Sequence, residues 1–268
     1  MIKAIDSLIK TPEQIDKMRE AGRLTARVLE AVSDMIHPGI TTMDIDCFCE
    51  SYIRDILGAI PGSKGQYGYP YSVNTSVNHV ICHGMPSIAQ ILKSGDIVNV
   101  DVTVIYEGYY GDSSKMFCIG TVAPHAKRLV DVTQQCMYQG ILAIKPGATL
   151  GDIGYAVQSY AEKNHYSVVR EYCGHGIGRS MHEDPQVMHY GRPGVGETVQ
   201  PGMIFTIEPM INQGKADVKH ITKDGWRIAI TKDRMLSAQW EHTILVLPTG
   251  FEVLTLREEE KDWMKNII

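Results

Sequence analysis

The chain repeats itself, and that constrains its fold more than any other feature. Ile36-His37-Pro38-Gly39-Ile40-Thr41-Thr42-Met43-Asp44-Ile45 aligns with Ile144-Lys145-Pro146-Gly147-Ala148-Thr149-Leu150-Gly151-Asp152-Ile153, position 36 answering to position 144 at an offset of 108. Both copies place Pro-Gly after a helical pattern and then open a new helix with Thr-x-x-Asp. Downstream, Ser94-Gly95-Asp96-Ile97-Val98-Asn99-Val100-Asp101 meets Pro201-Gly202-Met203-Ile204-Phe205-Thr206-Ile207-Glu208, position 94 answering to 201 at an offset of 107. A turn feeds a strand that ends on a carboxylate in both. Pro-Gly and short apolar runs are common, so either match alone would say little. Two matches in one order at nearly one offset mean duplication: one domain of 268 residues built from two related halves, about 12–120 and 125–250.

Composition removes several classes. Hydrophobic residues at 44%, charged residues at 21% and only 12 prolines exclude a disordered, collagenous or coiled-coil chain. A net charge of −5 without a long basic run argues against nucleic acid as a main partner. The opening Met1-Ile2-Lys3-Ala4-Ile5-Asp6 carries no apolar leader, and nowhere do about 18 apolar residues follow one another, so a cytoplasmic, membrane-free protein is expected. Six cysteines without a C-x-x-C pair read as reduced thiols.

The element pattern agrees with two halves. Thr11-Pro12-Glu13-Gln14 is a capping box that opens an amphipathic helix running toward Met35, and a second helix follows Thr42 with Ile45, Cys49, Tyr52 and Ile53 at helical spacing. A Gly/Pro/Tyr-rich stretch (61–73), an apolar strand from Val77 to Cys82 and a strong strand from Ile97 to Ile105 come next. The second half should repeat two helices (Lys127 to Ile144, Asp152 to Asn164) and strands at Ser167–Tyr172, Met203–Ile207, Ile228–Thr231 and Thr243–Leu247. Helices with mostly antiparallel strands predict an α+β sandwich with a site between the halves.

The chemistry begins on the strong strand. Val98, Val100, Val102 and Val104 form one face, which leaves Asn99, Asp101 and Thr103 on the other. If the chain reverses around Tyr106 to Gly108, Asp101 and Asp112 share that face, directly opposed or one diagonal step apart, with Cβ atoms about 4.5 to 8 Å apart. Like charges so placed repel unless a cation lies between them. Glu208 occupies the repeat position of Asp101 inside an apolar run, and Glu241 precedes another, His242-Thr243-Ile244-Leu245-Val246. Buried carboxylates there need partners.

His175 completes the set, flanked by glycines in Gly174-His175-Gly176-Ile177-Gly178 that let backbone or ligand approach closely. Four carboxylates and one imidazole form a hard, oxygen-rich donor set suited to Mn, Fe(II), Co or, less selectively, Zn, and four negative charges match two divalent cations. There is no H-E-x-x-H, no G-x-S-x-G elbow and no Walker A loop. The residues alone therefore indicate a dinuclear-metal hydrolase acting on peptide or phosphoester bonds.

At this point the chain resembles a family. Cys82-His83-Gly84, Asp101, Asp112, the stretch from Tyr172 to Tyr190 with His182, Thr206-Ile207-Glu208-Pro209 and Gln239-Trp240-Glu241-His242-Thr243 look like the motifs of the type I methionine aminopeptidases, of the pita-bread fold, from about residue 9 to about residue 255. The resemblance implies removal of the initiator methionine from nascent chains with a small second residue. It implies Asp101, Asp112, His175, Glu208 and Glu241 as ligands of two divalent metals, with Asp112 and Glu241 bridging, and a metal-bridging hydroxide whose proton Glu208 carries. It further implies His83 positioning the scissile amide, His182 stabilising the oxyanion, and Tyr69 and Trp226 lining the methionine pocket. Asn74 and Met181 belong to the same substrate pocket but depart from the pattern, since close bacterial relatives are expected to carry cysteine and phenylalanine there; Ser63 and Gln66 depart as well.

Proline-specific aminopeptidases and prolidases share that fold and ligand set but are longer, with an extra N-terminal domain. Type II methionine aminopeptidases carry a helical insertion where only 25 residues separate His182 from Glu208 here. A non-catalytic binding protein on the same fold would be expected to have lost ligands first. A monomer with transient ribosome contact is the expectation for the whole protein.

Overall fold

The computed structural model describes residues 8–145 and 147–265; Met1–Asp6 and Pro146, which entered the reading above, lie outside the described residues. The first half opens with helix α1 (Pro12–Met35) and helix α2 (Thr42–Ser51), the latter winding on through a π turn (Tyr52–Ile56). Strands β1 (Ile60–Pro61), β2 (Val73–Val77), β3 (Val80–Cys82), β4 (Ile97–Tyr106) and β5 (Tyr109–Cys118) follow. Next come helices α3 (Pro124–Leu142) and α4 (Leu150–Lys163), then β6 (Ser167–Val168), β7 (Gly174–Gly176), β8 (Glu183–Val187), β9 (Ile204–Ile207) and β10 (Met210–Asn212). The chain continues through β11 (Val218–Lys223), β12 (Trp226–Thr231), β13 (Ser237–Gln239), β14 (His242–Leu247) and β15 (Gly250–Val253), and ends in a 3-10 turn (Glu258–Glu260) leading into the short α5 (Lys261–Lys265).

Strand pairing among the described residues is antiparallel. One sheet runs β1–β4–β2 with β5 on the free side of β4, and a second runs β15–β14–β9–β7–β8. Two smaller ones, β13–β10–β6 and β11–β12–β3, complete the set. The valines of β4 are fully buried against Leu24, Val28, Leu29 and Val32 of α1, as the alternation requires. A second core packs Leu129, Met137 and Ile141 of α3 with Ile153 and Val157 of α4 against Phe205, Ile207 and Ile244. The cores lie on the outer faces, so the opposite faces of β4 and β9 are left for the interior.

The two copies of the repeat adopt matching local structure. Thr41 and Thr149 each cap a helix, and each donates its backbone N–H to the carboxylate three residues on, Asp44 or Asp152, at 2.7 Å in both. Gly39 and Gly147 both take positive φ, 101° and 81°, and so do Gly95 and Gly202 at 102° and 89°. Thr41 bridges to Ile91 and Thr149 to Thr198. Beside these bridges, Leu92 donates to the Ile40 carbonyl at 2.8 Å and Val199 to the Ala148 carbonyl at 2.9 Å.

Three expectations need correction. The strand expected from Val77 to Cys82 is two, β2 and β3, because Asn78 takes φ 55° and turns the chain between them. The strand expected over Ser167–Tyr172 stops at Val168, and Val169 leaves it while still donating to the Met210 carbonyl at 3.0 Å. Finally, β9 ends just before Glu208, but β4 continues five residues past Asp101, so a strand ending on a carboxylate holds only in the second copy.

Replacing either capping threonine, Thr41→Ala or Thr149→Ala, should lower stability by about 1 kcal/mol, and the double variant should lose nearly the sum because the sites share no partner. Urea unfolding measures it; a much smaller loss at one cap would show that the matching geometry does not carry matching energy.

Candidate metal centre and active site

The β4–β5 hairpin sets the first pair of carboxylates. Glu107 and Gly108 take φ 47° and 78° in the two-residue turn, which pairs Tyr106 with Tyr109 and fixes the register of the ladder. Asp101 then faces Ser114 and Asp112 faces Thr103, so the two aspartates stand one diagonal step apart. Thr103 Oγ1 donates to Asp112 Oδ1 at 2.9 Å and fixes the orientation of that carboxylate.

His175 sits at the centre of β7, and its flanking glycines are required by close backbone approach. A Cβ on Gly174 would lie 2.3 Å from the Thr206 carbonyl oxygen, and one on Gly176 only 1.9 Å from that of Asp184. Nδ1 of His175 meets the Gly176 carbonyl at 3.0 Å, which assigns the ring proton to Nδ1 and leaves Nε2 as a donor atom for a metal. Nε2 lies 3.4 Å from Glu208 Oε1 and 3.8 Å from Asp112 Oδ2. Asp112, His175 and Glu241 each bring one ligand atom within 4.8 Å of the others. Asp101 lines the same cavity but stands outside that closest group.

Glu208 is oriented from three sides. Thr206 Oγ1 donates to Oε1 at 2.8 Å, Gln239 Nε2 donates to Oε2 at 3.3 Å, and the backbone N–H of Glu208 donates to Nε2 of the buried His189 at 3.0 Å. Glu241 precedes β14, in the break between β13 and β14, where its N–H donates to the Ser114 carbonyl at 3.1 Å.

All eleven sequence-derived candidates line one cavity of about 620 Å³: Tyr69, Asn74, His83, Asp101, Asp112, His175, Met181, His182, Glu208, Trp226 and Glu241. Ser63 and Gln66 line it too. Tyr69 and Trp226 meet with ring centroids 4.4 Å apart, and Trp226 Nε1 donates to the His83 carbonyl at 3.0 Å. His83 itself takes φ 61°, and the ring of Tyr172 meets it edge-on at 5.3 Å. His182 lies 4.4 Å from His175, centroid to centroid, and its Nδ1 is 3.3 Å from the hydroxyl of the exposed Tyr67.

Sequence reasoning gave no role to Thr206, His189, Gln239, Tyr67 or Tyr172, although all but Tyr67 lie in the stretches that carry the resemblance. Thr206 could have been found, because alternation puts it on the same face as Glu208; the others come from segments whose meeting the sequence does not display.

The electrostatics demand a cation. Burial raises the carboxyls of Asp101, Asp112, Glu208 and Glu241, and the charge of Asp112 raises the other three further. No lysine or arginine lines the cavity to offset them. Burial lowers His175 to about 4, with His182 adding to it, so the imidazole is neutral and free to ligate; His83 is lowered to about 4 for the same reasons. Carboxylate oxygens plus one neutral imidazole, with Asp112, His175 and Glu208 oriented by neighbours and no lysine or arginine in the cavity lining, fit divalent metal.

The duplicated scaffold and this donor set together define a metal-dependent hydrolase. Residues 16–248 match Metallopeptidase family M24, to which the chain belongs, and its fold is the pita-bread fold. It is 51% identical to a methionine aminopeptidase of Escherichia coli (strain K12) over 94% of this chain and 95% of that protein. The crystal structure of methionine aminopeptidase from Rickettsia prowazekii superposes with a TM-score of 0.90 at 51% identity, covering 92% of this chain and 99% of that one. A prolidase from Pyrococcus furiosus, 20% identical with a TM-score of 0.76, shares the fold, and this chain covers 68% of its length. Among the described residues no helix is long and apolar enough to cross a membrane.

A carboxyl whose pKa is raised on folding stabilises the fold while protonated, and loses that contribution as pH climbs through the raised value. Metal competes with those protons. The rise in melting temperature of metal-stripped protein on adding saturating Mn(II) should therefore grow from about pH 5 to about pH 8. Scanning fluorimetry at several pH values checks this, and a pH-independent rise would contradict the charge argument.

Proposed function

We propose that this protein is a methionine aminopeptidase that removes the initiator methionine from nascent chains with a small second residue. The observation that carries the reading is the meeting of three buried carboxylates (Asp112, Glu208 and Glu241), the half-buried Asp101 and His175 in one cavity whose walls also carry two neutral histidines, His83 and His182. Asp101, Asp112, His175, Glu208 and Glu241 would hold two divalent ions, Co, Mn, Fe(II) or Zn. Bound there, such ions lower the pKa of a water they hold and polarise a carbonyl.

The remaining work falls to side chains. Glu208, whose carboxyl burial and the Asp112 charge hold above its ordinary range, carries a proton between the attacking water and the leaving amine. Its hydrogen bonds from Thr206 and Gln239 keep it in one orientation for both transfers. Burial keeps His182 neutral, and its Nδ1 already meets Tyr67, so the opposite nitrogen serves the oxyanion. His83, fixed through its own carbonyl by Trp226, positions the scissile amide. Tyr69, Trp226 and Met181 offer apolar surface to the methionine side chain, and Asn74 adds a polar group to that wall.

In this reading the segments 12–120 and 125–250 are the halves of one catalytic domain, the first supplying His83, Asp101 and Asp112 and the second His175, His182, Glu208 and Glu241. The protein acts as a monomer in the cytoplasm and meets the ribosome only transiently.

Metal-reconstituted protein should release methionine from Met-Ala-Ser and leave Leu-Ala-Ser and Ala-Pro-Ala intact. Cleavage of the proline peptide would instead favour the prolidase activity, and no cleavage with Co(II), Mn(II) or Fe(II) would favour a binding protein. Asp112→Ala or Glu241→Ala should abolish hydrolysis with circular dichroism unchanged. His182→Ala should lower kcat by about 100-fold or more while leaving metal content intact.

A further inference from the structure

Behind the carboxylates lies a buried polar network that the chemistry above does not use. Arg257 follows β15 and is the largest fully buried side chain of the described residues, with no exposure. Its Nε lies 2.9 Å from Glu260 Oε2, its Nη2 donates to Glu260 Oε1 at 2.9 Å, and its guanidinium lies over the Trp240 ring at 5.3 Å. Glu260 is 2% exposed, and also accepts from Tyr138 Oη at 2.8 Å. Against the burial that opposes its ionisation, His242 and Arg257 hold Glu260 well below the usual carboxylate range, so the pair is ionic.

The inner edge of this network touches the backbone of two proposed ligands. Arg257 Nη1 donates to Ser113 Oγ at 3.0 Å, and Ser113 Oγ donates to the Glu241 carbonyl at 2.6 Å. The direction of both bonds is forced. Arginine has no acceptor, so the serine oxygen must receive the guanidinium proton, and its own hydrogen is then free for the carbonyl. Ser113 directly follows Asp112, and the Glu241 N–H closes the link by donating to the Ser114 carbonyl. Thr243 Oγ1 tethers the same two segments again, accepting from the Asp112 N–H at 3.3 Å and donating to its carbonyl at 2.7 Å.

This arrangement does something the ladders do not. Glu241 lies in a break between strands, where no ladder fixes its backbone, and Asp112 belongs to the other half of the chain. We propose that Arg257, acting through the Ser113 hydroxyl, is a positioning residue for the metal centre, locking the backbone of Glu241 to that of Asp112 so that both carboxylates face one ion pair. The inference rests on the metal-centre reading given above. Lysine could not replace Arg257, because a point charge cannot engage Glu260 and Ser113 at once with a planar fork.

The test is Mn(II) binding to metal-stripped protein by titration calorimetry, alongside thermal melts. Ser113→Ala leaves the Arg257–Glu260 pair in place and removes the hydroxyl that joins Arg257 Nη1 to the Glu241 carbonyl, so it should fold and bind Mn(II) about 10- to 100-fold more weakly. Arg257→Lys should shift affinity the same way. Tyr138→Phe cuts the outer edge of the network, at Glu260, and should lower the melting temperature while keeping Mn(II) affinity within about twofold of the parent. Unchanged affinity in Ser113→Ala overturns the proposal, and so does an equal loss in Tyr138→Phe, since a merely structural network would treat both edges alike. If Arg257→Lys does not fold, Ser113→Ala and Tyr138→Phe decide alone. A parent protein that binds no Mn(II) overturns the metal-centre reading and the tether with it, whereas normal parent binding with an unaffected Ser113→Ala overturns only the tether.

Discussion

Four carboxylates that repel one another are kept together by structure that gains nothing from them directly. Asp101, Asp112, Glu208 and Glu241 sit in a cavity whose lining holds no protein cation, and each is driven toward its neutral form by burial and by its neighbours. An arrangement of that kind persists only if the backbone cannot relax away from it, and if protons or a divalent cation supply the missing charge. The valine face of β4 sealed under α1, the glycines around His175 that let β7 approach its neighbours, and the threonines that hold individual carboxylates all serve this one requirement.

Much of this was legible in the sequence, and the reason is periodicity. The β4–β5 hairpin announces itself by alternation and by a turn at Glu107-Gly108, so the diagonal placement of Asp101 and Asp112 follows from counting. The repeat located the positions of Asp101 and Glu208, and Thr-x-x-Asp found the starts of α2 and α4. Short strands escaped. β7, β10 and β13 are three residues long, below the length at which alternation can be seen, and what stabilises them is pairing with distant segments. His189 and Arg257 were invisible for the same reason, since their roles arise from contacts between segments far apart in the chain.

The cavity wall around Tyr69, Asn74 and Trp226 was singled out by resemblance, and the geometry adds detail to it. Tyr69 is buried with its hydroxyl donating to the Val73 carbonyl at 2.8 Å, which fixes the ring that Trp226 packs against. Asn74, paired with Asp101 across β2 and β4, is 8% exposed with a side-chain oxygen that has no hydrogen-bond partner. An unpaired buried carbonyl costs stability, which a substrate group able to donate to it would offset. Asparagine therefore gives the cavity wall an open acceptor at position 74.

The repeat also explains why two similar halves yield unequal chemistry. In the first copy the strand runs past Asp101, turns at Gly108 and returns with Asp112, so one ladder delivers both carboxylates in fixed register. In the second copy β9 stops before Glu208, and Pro209, which has no N–H to offer a ladder, prevents the same hairpin from forming. The second pair of donors must come from separate places, His175 from the glycine-flanked β7 and Glu241 from the break before β14. Asp101 and Asp112 take their register from a continuous hairpin, to which Thr103 and Thr243 add bonds at Asp112, whereas side chains set by strand ends have no such ladder and are tied from outside. The hydrogen bonds fall that way, with Thr206, Gln239 and His189 around Glu208, and Ser113 and Ser114 on the backbone of Glu241. The half that departs from the simple ladder also supplies His175 and His182, so the asymmetry of the scaffold is what brings imidazoles to a cavity that the first hairpin furnishes with carboxylates.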